Sequence, residues 1–269
     1  MDLLLLFKAL ILGLVEGVTE FLPISSTGHL IIAGDLLNFN DEKGKVFEIV
    51  IQFGAILAVC WEFRAKLMDT ASHLSSNTTS RGLVLNLLIA FLPAAIVGLL
   101  FIHQIKQYLF SPISVAIALI VGGFAILLVE KSTPKITTQN IDAVSPIQAL
   151  KIGLAQTLSL IPGVSRAGAT ILGGMLSGLN RQTATEFSFF LAIPIMFAAT
   201  AYDLFKNWAL LVSTDVPMFV VGFITAFISA IFVIKLLLRY VANHDFLAFA
   251  YYRIVFGILV LLYFLLKTH

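Results

Sequence analysis

Charge is what this 269-residue chain has least of: acids and bases make up 12% of it, against about 25% in an ordinary soluble domain. That shortage excludes a soluble globule and predicts an integral membrane protein. The formal net charge of +2 is too small for a nucleic-acid partner. Only one cysteine is present, Cys60, inside an apolar stretch, so an intrachain disulfide is excluded and packing is its expected role. The N-terminus lacks a basic region: Asp2 stands there, and the apolar run continues into Glu16 instead of a small-residue cleavage site. No cleavable signal peptide is expected.

What is present is hydrophobic. Apolar residues make up 59% of the chain, with 23 phenylalanines expected to face lipid or to pack. Apolar stretches at 47–63, 83–102, 112–130, 184–204, 217–238 and 248–267 each approach the roughly 20 residues of a membrane-spanning helix. The stretches 2–15 and 146–161 are shorter and run into polar sequence, so neither is expected to span alone. Arg64, Lys66 and Arg81 flank one loop, and Lys131 and Lys135 lie in another. The positive-inside tendency makes these two loops cytoplasmic and predicts an outward-facing loop at 103–111, with His103 and Lys106.

Two segments are polar at membrane depth: Glu16 to His29 (E-G-V-T-E-F-L-P-I-S-S-T-G-H) and Pro162 to Thr170 (P-G-V-S-R-A-G-A-T). An ionisable group there costs roughly 2.5–3.5 kcal/mol on insertion scales, so such groups read as functional. A shift of 140 aligns Ala9-Leu10 with Ala149-Leu150, Gly13 with Gly153 and Glu16 with Gln156. It also aligns Thr19 with Ser159, Ser25 with Ser165 and Gly28 with Gly168. Glu48 and Glu186 each open an apolar span, and Pro93…Gly98 and Pro217…Gly222 share the spacing P-x-x-x-x-G. The chain therefore reads as one all-α polytopic membrane domain, 1–269. It would hold two homologous halves, about 1–131 and 146–269, joined by a polar linker at 132–145. Inverted halves are favoured, because proteins built that way form sites from the broken helices of both. Pro and Gly break a helix and the hydroxyls beyond them suit a new N-terminus, so 16–38 and 156–180 are expected as re-entrant helical hairpins.

The residue types in these segments suit phosphate chemistry. Glu16 and Glu20 share one helical face at i and i+4, and two such carboxylates call for a shared proton or a divalent cation, Mg²⁺ or Ca²⁺. Ser25, Ser26 and Thr27 exceed the one hydroxyl that an N-cap needs, and beside Gly28 they could hold an anion at a helix N-terminus. Ser26 and His29, at i and i+3, allow His29 to act as general base for a serine nucleophile; the competing chemistry makes His29 the phosphoryl acceptor. Arg166 offers paired donors to phosphate, with Ser165, Thr170, Gly163 and Gly168 around it, or it could neutralise Glu16 or Glu20. Glu48, Gln52, Gln156 and Glu186 are candidate cavity-lining positions. Asp142 reads as a solvated linker residue. A lipid-phosphate flippase or secondary carrier with a midplane anion site is the rival reading.

The two strings together resemble the integral-membrane undecaprenyl-diphosphate phosphatase family of the bacitracin-resistance type, over essentially the whole chain. The family's E/Q-x-x-x-E motif is matched by Glu16 and Glu20, and its P-G-x-S-R motif by Pro162 to Arg166. Where that motif commonly continues with serine, this chain has Ala167. The resemblance implies functional roles for Ser26 and His29 and hydrolysis of undecaprenyl diphosphate to the monophosphate carrier reused for peptidoglycan and other envelope polymers. It also implies a site on the outer side of the bacterial cytoplasmic membrane, and dimers in some settings.

Overall fold

A computed structural model describes residues 3–39, 42–132, 135–206 and 215–267. Among the described residues the chain is helical, with one isolated β-bridge between Thr138 and Leu179. The helices are α1 Leu3–Thr19, α2 Ser26–Leu36, α3 Glu42–Glu62, α4 Arg64–Ser72, α5 Thr78–Leu109 and α6 Pro112–Ser132. They continue with α7 Pro146–Gln156, α8 Arg166–Leu176, α9 Arg181–Lys206, α10 Val216–Val241 and α11 Leu247–Lys267. Five are long and apolar enough to cross a membrane: α5 through Phe101, α6, α9, α10 and α11. Counted as one span, α3 with α4, bent by 71° at their junction, makes a sixth. The molecule is thus a multi-pass membrane protein. The stretch 103–111, expected as an outward loop, is mostly the end of α5, which continues to Leu109 because no breaker intervenes before Pro112. The side chains of His103 and Lys106 lie outside the described residues.

The remaining four helices make two short hairpins. α1 turns back through residues 20–25 into α2, and α7 turns back through 157–165 into α8. The arms begin earlier than the expected limits of 16 and 156, because the stretches 2–15 and 146–161 are the hairpins' first arms. α2 and α8 are each 11 residues long and begin 140 residues apart.

The hairpins open toward opposite ends of one helix pair. α6 and α11 run antiparallel: Gly257 lies against Ala116 and Ile120, and Gly123 against Ala250 and Ile254. At the C-terminal end of α11, Lys267 Nζ and Tyr263 Oη donate to the Asp35 carboxylate near the end of α2, at 2.6 and 2.8 Å. At the C-terminal end of α6, the N–H groups of Thr137 and Thr138 donate to the Gly178 carbonyl, just past α8, at 2.8 and 3.1 Å. Three crossings (α3 with α4, α5, α6) separate the hairpins, an odd number, so chain parity agrees.

Close helix crossings hold the first arms in place. α1 packs on α10, and α7 packs on α5. A methyl group on Gly13 would run into the Gly222 carbonyl, and one on Gly153, 140 residues later, into the Ala90 carbonyl. Only a hydrogen fits at either place. The P-x-x-x-x-G pair does not share a structural position: Pro93 lies inside α5, whereas Pro217 opens the first turn of α10. The segment 135–145 is packed, not a solvated linker. Ile141 and Val144 are buried, Asn86 Nδ2 donates to the Val144 carbonyl at 2.6 Å, and Asp142 pairs with Lys66 at 2.6 Å.

Candidate active site

Each hairpin turn ends on a serine in an unusual backbone state. Ser25 has φ 69° and ψ 101°, and Ser165 has φ 74° and ψ 119°. A non-glycine residue held there costs on the order of 1–3 kcal/mol and persists only where its surroundings fix it. Ser165 caps α8: its Oγ accepts from the Gly168 N–H at 3.0 Å. Ser25 makes no such capping bond. The next residue in each case opens a helix, Ser26 for α2 and Arg166 for α8. The candidate nucleophile and the candidate phosphate clamp therefore occupy matching places, at helix N-termini whose backbone N–H groups favour an anion.

The two turns enclose a cavity of about 160 Å³. Its lining includes Glu20, Ser25, Ser26 and Thr27 from the first turn, with Gly163, Ser165 and Arg166 from the second. Gln52 of α3 completes it, as the sequence suggested, together with Ser159, noted in the sequence only for its alignment with Thr19, and Pro162, which opens the second polar segment. Ser26 Oγ donates to Glu20 Oε2 at 2.5 Å, and Arg166 Nη2 donates to Glu20 Oε1 at 3.2 Å. Arg166 Nη1 donates to the Ser188 carbonyl at 3.1 Å, and its guanidinium lies 5.6 Å from the centre of the Phe21 ring. Thr170 and Ser188 share a hydroxyl hydrogen bond of 2.6 Å, and Thr170 Oγ1 donates to the Arg166 carbonyl at 2.9 Å. Ser188 and Thr170 thus fix Arg166 from behind.

His29 is not where the i, i+3 spacing suggested. Its Nδ1 donates to the Ser25 carbonyl at 2.8 Å, which leaves Nε2 of the neutral ring to accept from Tyr252 Oη at 2.7 Å. The ring stacks on Phe256 at 4.1 Å between centroids. Both nitrogens are committed, and Ser26 is bonded to Glu20 instead. The expected Ser26–His29 dyad does not form. Its place is taken by Ser26 and Glu20, because α11 draws the imidazole to the far side of α2.

Several other candidates lie outside the cavity. Glu48 is exposed on α3, and Glu186 accepts from Gln182 at 3.0 Å on the outside of α9. Gln156 is buried and donates to the Ala90 carbonyl at 3.4 Å. Thr170 and Gly168 support Arg166 and Ser165 from behind, and Gly28 lies against Leu119. Two contributors went unread in the sequence. Ser188 has no signal beyond being a hydroxyl in an apolar span. Arg253 has a clear one, a guanidinium inside the apolar span 248–267.

The fit to a divalent cation turns on Glu16. It is 1% exposed, and neither carboxylate oxygen has a hydrogen-bond partner among the described residues. A buried carboxylate in that state needs a proton or a cation. Glu20 lies one turn further on. Two carboxylates with no histidine or thiol match a hard, oxygen-preferring ion that fills its shell with water and phosphate oxygens. Among the described residues no cluster of three metal-ligating side chains occurs.

Comparison with known proteins shows the family to which the chain belongs. The family model described as "Bacitracin resistance protein BacA" matches residues 9–259. A protein of Methylobacillus flagellatus named undecaprenyl-diphosphatase is 66% identical, over 98% of this chain and 100% of its own length. Proteins of the same name from Laribacter hongkongensis and Nitrosospira multiformis are each 61% identical, over 97% of this chain and 96% of theirs. With the family model matching residues 9–259, nearly the whole chain, the chain belongs to the bacitracin resistance protein BacA family.

Proposed function

We propose that this chain is an undecaprenyl-diphosphate phosphatase. It hydrolyses the diphosphate to undecaprenyl phosphate and inorganic phosphate, recycles the carrier for peptidoglycan and other envelope polymers, and so confers resistance to bacitracin. The observation that carries the reading is the bonded series Ser26–Glu20–Arg166 in one cavity: a nucleophile, a base and a phosphate clamp within hydrogen-bonding reach. The cavity admits a diphosphate headgroup but not a polyprenyl tail, which stays in the lipid.

In the mechanism, Arg166, Ser165 and the N–H groups opening α2 and α8 bind the phosphate oxygens, and Arg166 exchanges Glu20 for substrate. Ser26 Oγ attacks the terminal phosphorus while its proton passes to Glu20 Oε2. The bond from phosphorus to the bridging oxygen breaks, and undecaprenyl phosphate leaves with its electron pair. Glu20 returns that proton to the departing phosphate oxygen; water then attacks the phosphoserine as Glu20 takes its proton, and Glu20 passes it to Oγ as the phosphorus–Oγ bond breaks, releasing phosphate and restoring Ser26. Positioning and charge stabilisation supply most of the acceleration, as in phosphoryl transfer generally. Glu16, with Glu20, would hold Mg²⁺ or Ca²⁺, which would neutralise phosphate charge. His29 keeps Ser25 in place through its carbonyl and is not a chemical participant in this scheme.

The bundle end bearing Arg64, Lys66, Arg81, Lys131 and Lys135 is taken as cytoplasmic, in the bacterial inner membrane, with the reaction on the outer side. The two halves, about 1–131 and 146–269, are read as an inverted duplication, supported by the matching α2 and α8 and the strained serines. Homodimer formation rests on family resemblance, and light scattering in detergent tests it. The hairpins' opening to opposite ends also suits a carrier. A carrier needs the clamp but no serine bonded to a base. Phosphate release from undecaprenyl diphosphate by purified protein in detergent, where no second compartment exists, separates the two. Release supports the phosphatase, and binding without release supports the carrier.

A further inference from the structure

We infer that Arg253 is a positioning residue for the reaction: from about two turns into α11 it ties the two hairpin turns together and thereby sets Ser26 against Arg166. The inference rests on the phosphatase reading for its kinetic test. Arg253 is 1% exposed and spends its donors on five backbone carbonyls. Nη1 donates to Pro23 at 3.0 Å and Val164 at 2.9 Å, and Nη2 to Gly163 at 3.0 Å and Ala118 at 3.3 Å. Nε donates to Leu119 at 3.3 Å. Among the described residues it meets no carboxylate, so it is not half of an ion pair.

Those acceptors come from three places: the first turn, the second turn and α6. Pro23 and Gly163 lie 140 residues apart, the shift that relates the two polar segments, and each precedes its functional residue, Ser26 or Arg166, by three. One guanidinium therefore holds corresponding points of both turns. Its grip on the Val164 carbonyl also fixes the peptide plane entering Ser165. In a trans peptide the Ser165 N–H must then point away from Arg253. This is the outside constraint that a positive φ at a serine requires. Stabilising one hairpin would need acceptors from that hairpin alone. An arginine bonded to both turns sets their spacing, and the phosphate site is made of that spacing.

Two substitutions test this. Arg253→Lys keeps the charge but has three donors on one nitrogen and cannot span the same carbonyls. Gly122→Ala keeps the arginine but puts a methyl group where Nη2 lies, displacing the guanidinium. Steady-state hydrolysis of a short-chain prenyl diphosphate in detergent should show kcat reduced about 100-fold in Arg253→Lys, with KM little changed, and reduced in the same direction in Gly122→Ala. Glu130→Gln is the control: it breaks the Glu130–Arg181 ion pair while its amide oxygen can still accept from the Phe246 N–H that leads into α11, so it should lower the unfolding midpoint without lowering kcat. Wild-type kcat in both variants overturns the inference, as do losses that track the unfolding midpoint across all three.

A second readout does not depend on turnover. Cysteines at Thr27 and Ser159, both lining the cavity, in a Cys60→Ser background should cross-link quickly with a short bifunctional maleimide. Adding Arg253→Lys should slow that reaction, and an unchanged rate overturns the inference. A wild-type protein that releases no phosphate, with cross-linking still sensitive to Arg253, would instead fail the phosphatase reading and leave the clamp standing.

Discussion

Replacing Glu20 with glutamine separates the charge of this residue from its shape. The amide keeps an oxygen that can accept from Ser26 or from Arg166, so the turn and the cavity should survive. It loses the capacity to take the Ser26 proton, now donated across 2.5 Å. General base catalysis is worth about 10²–10⁴ in rate, or roughly 2.7–5.4 kcal/mol of barrier. The effect on binding runs the other way. Glu20 competes with substrate for Arg166 in the empty enzyme, at 3.2 Å and with both side chains largely buried. Glutamine relieves that competition, so phosphate affinity should hold or improve. Glu20→Gln is therefore expected to lose kcat by about 10²–10⁴ while KM stays level or falls. The assay is phosphate release in detergent over a range of substrate concentrations, with the folded fraction checked by thermal unfolding. A kcat within tenfold of wild type would refute Glu20 as the base. A large rise in KM at unchanged kcat would make it a binding group only.

Arg166→Lys retains a cation but cannot reach Glu20 and the Ser188 carbonyl with one flat fork, so kcat/KM should fall at least tenfold, about 1.4 kcal/mol, in the same assay. Glu16→Gln should abolish the dependence on added Mg²⁺ or Ca²⁺ along with most activity, and EDTA should inactivate the wild type reversibly. Full activity in EDTA would assign the unpartnered Glu16 carboxyl a proton instead. Gly13→Ala and Gly153→Ala should each lower the unfolding midpoint through overpacking of about 1–3 kcal/mol, since each methyl group meets a backbone carbonyl. Parallel losses at the two sites would support the proposed duplication.

Much of the fold was legible because lipid imposes a length and a polarity on every crossing, and apolar runs report both directly. The hairpins were legible for the complementary reason. Proline, glycine and ionisable groups at membrane depth have few places to go besides a turn buried in protein. Glu20, Ser26 and Arg166, which the structure brings into one cavity, stood out in the sequence because their chemistry is out of place in an apolar chain. The expected bond from Ser26 to His29 is not made because helical spacing fixes which residues are near each other but not which way a ring turns. Tyr252 and Phe256, more than 220 positions away in sequence, decide that. Glu48 and Glu186 illustrate the same gap, since a carboxylate at a span's end can look inward or outward at the same sequence spacing. Arg253 was readable by the rule that exposed the first two segments, but it is the one charge in its span before Lys267, with no proline beside it to mark a turn. The five carbonyls it bonds are invisible in any sequence.

The nucleophile is tested most directly by trapping it. Substrate labelled in its terminal phosphate would be mixed with enzyme and quenched within the first turnover, in acid for one sample and in base for its pair, and the protein digested for peptide mapping. The account predicts acid-stable label on the peptide carrying Ser26, lost in Ser26→Ala together with activity. Acid-labile, base-stable label on His29, or a Ser26→Ala variant that still turns over near the wild-type rate, would contradict it.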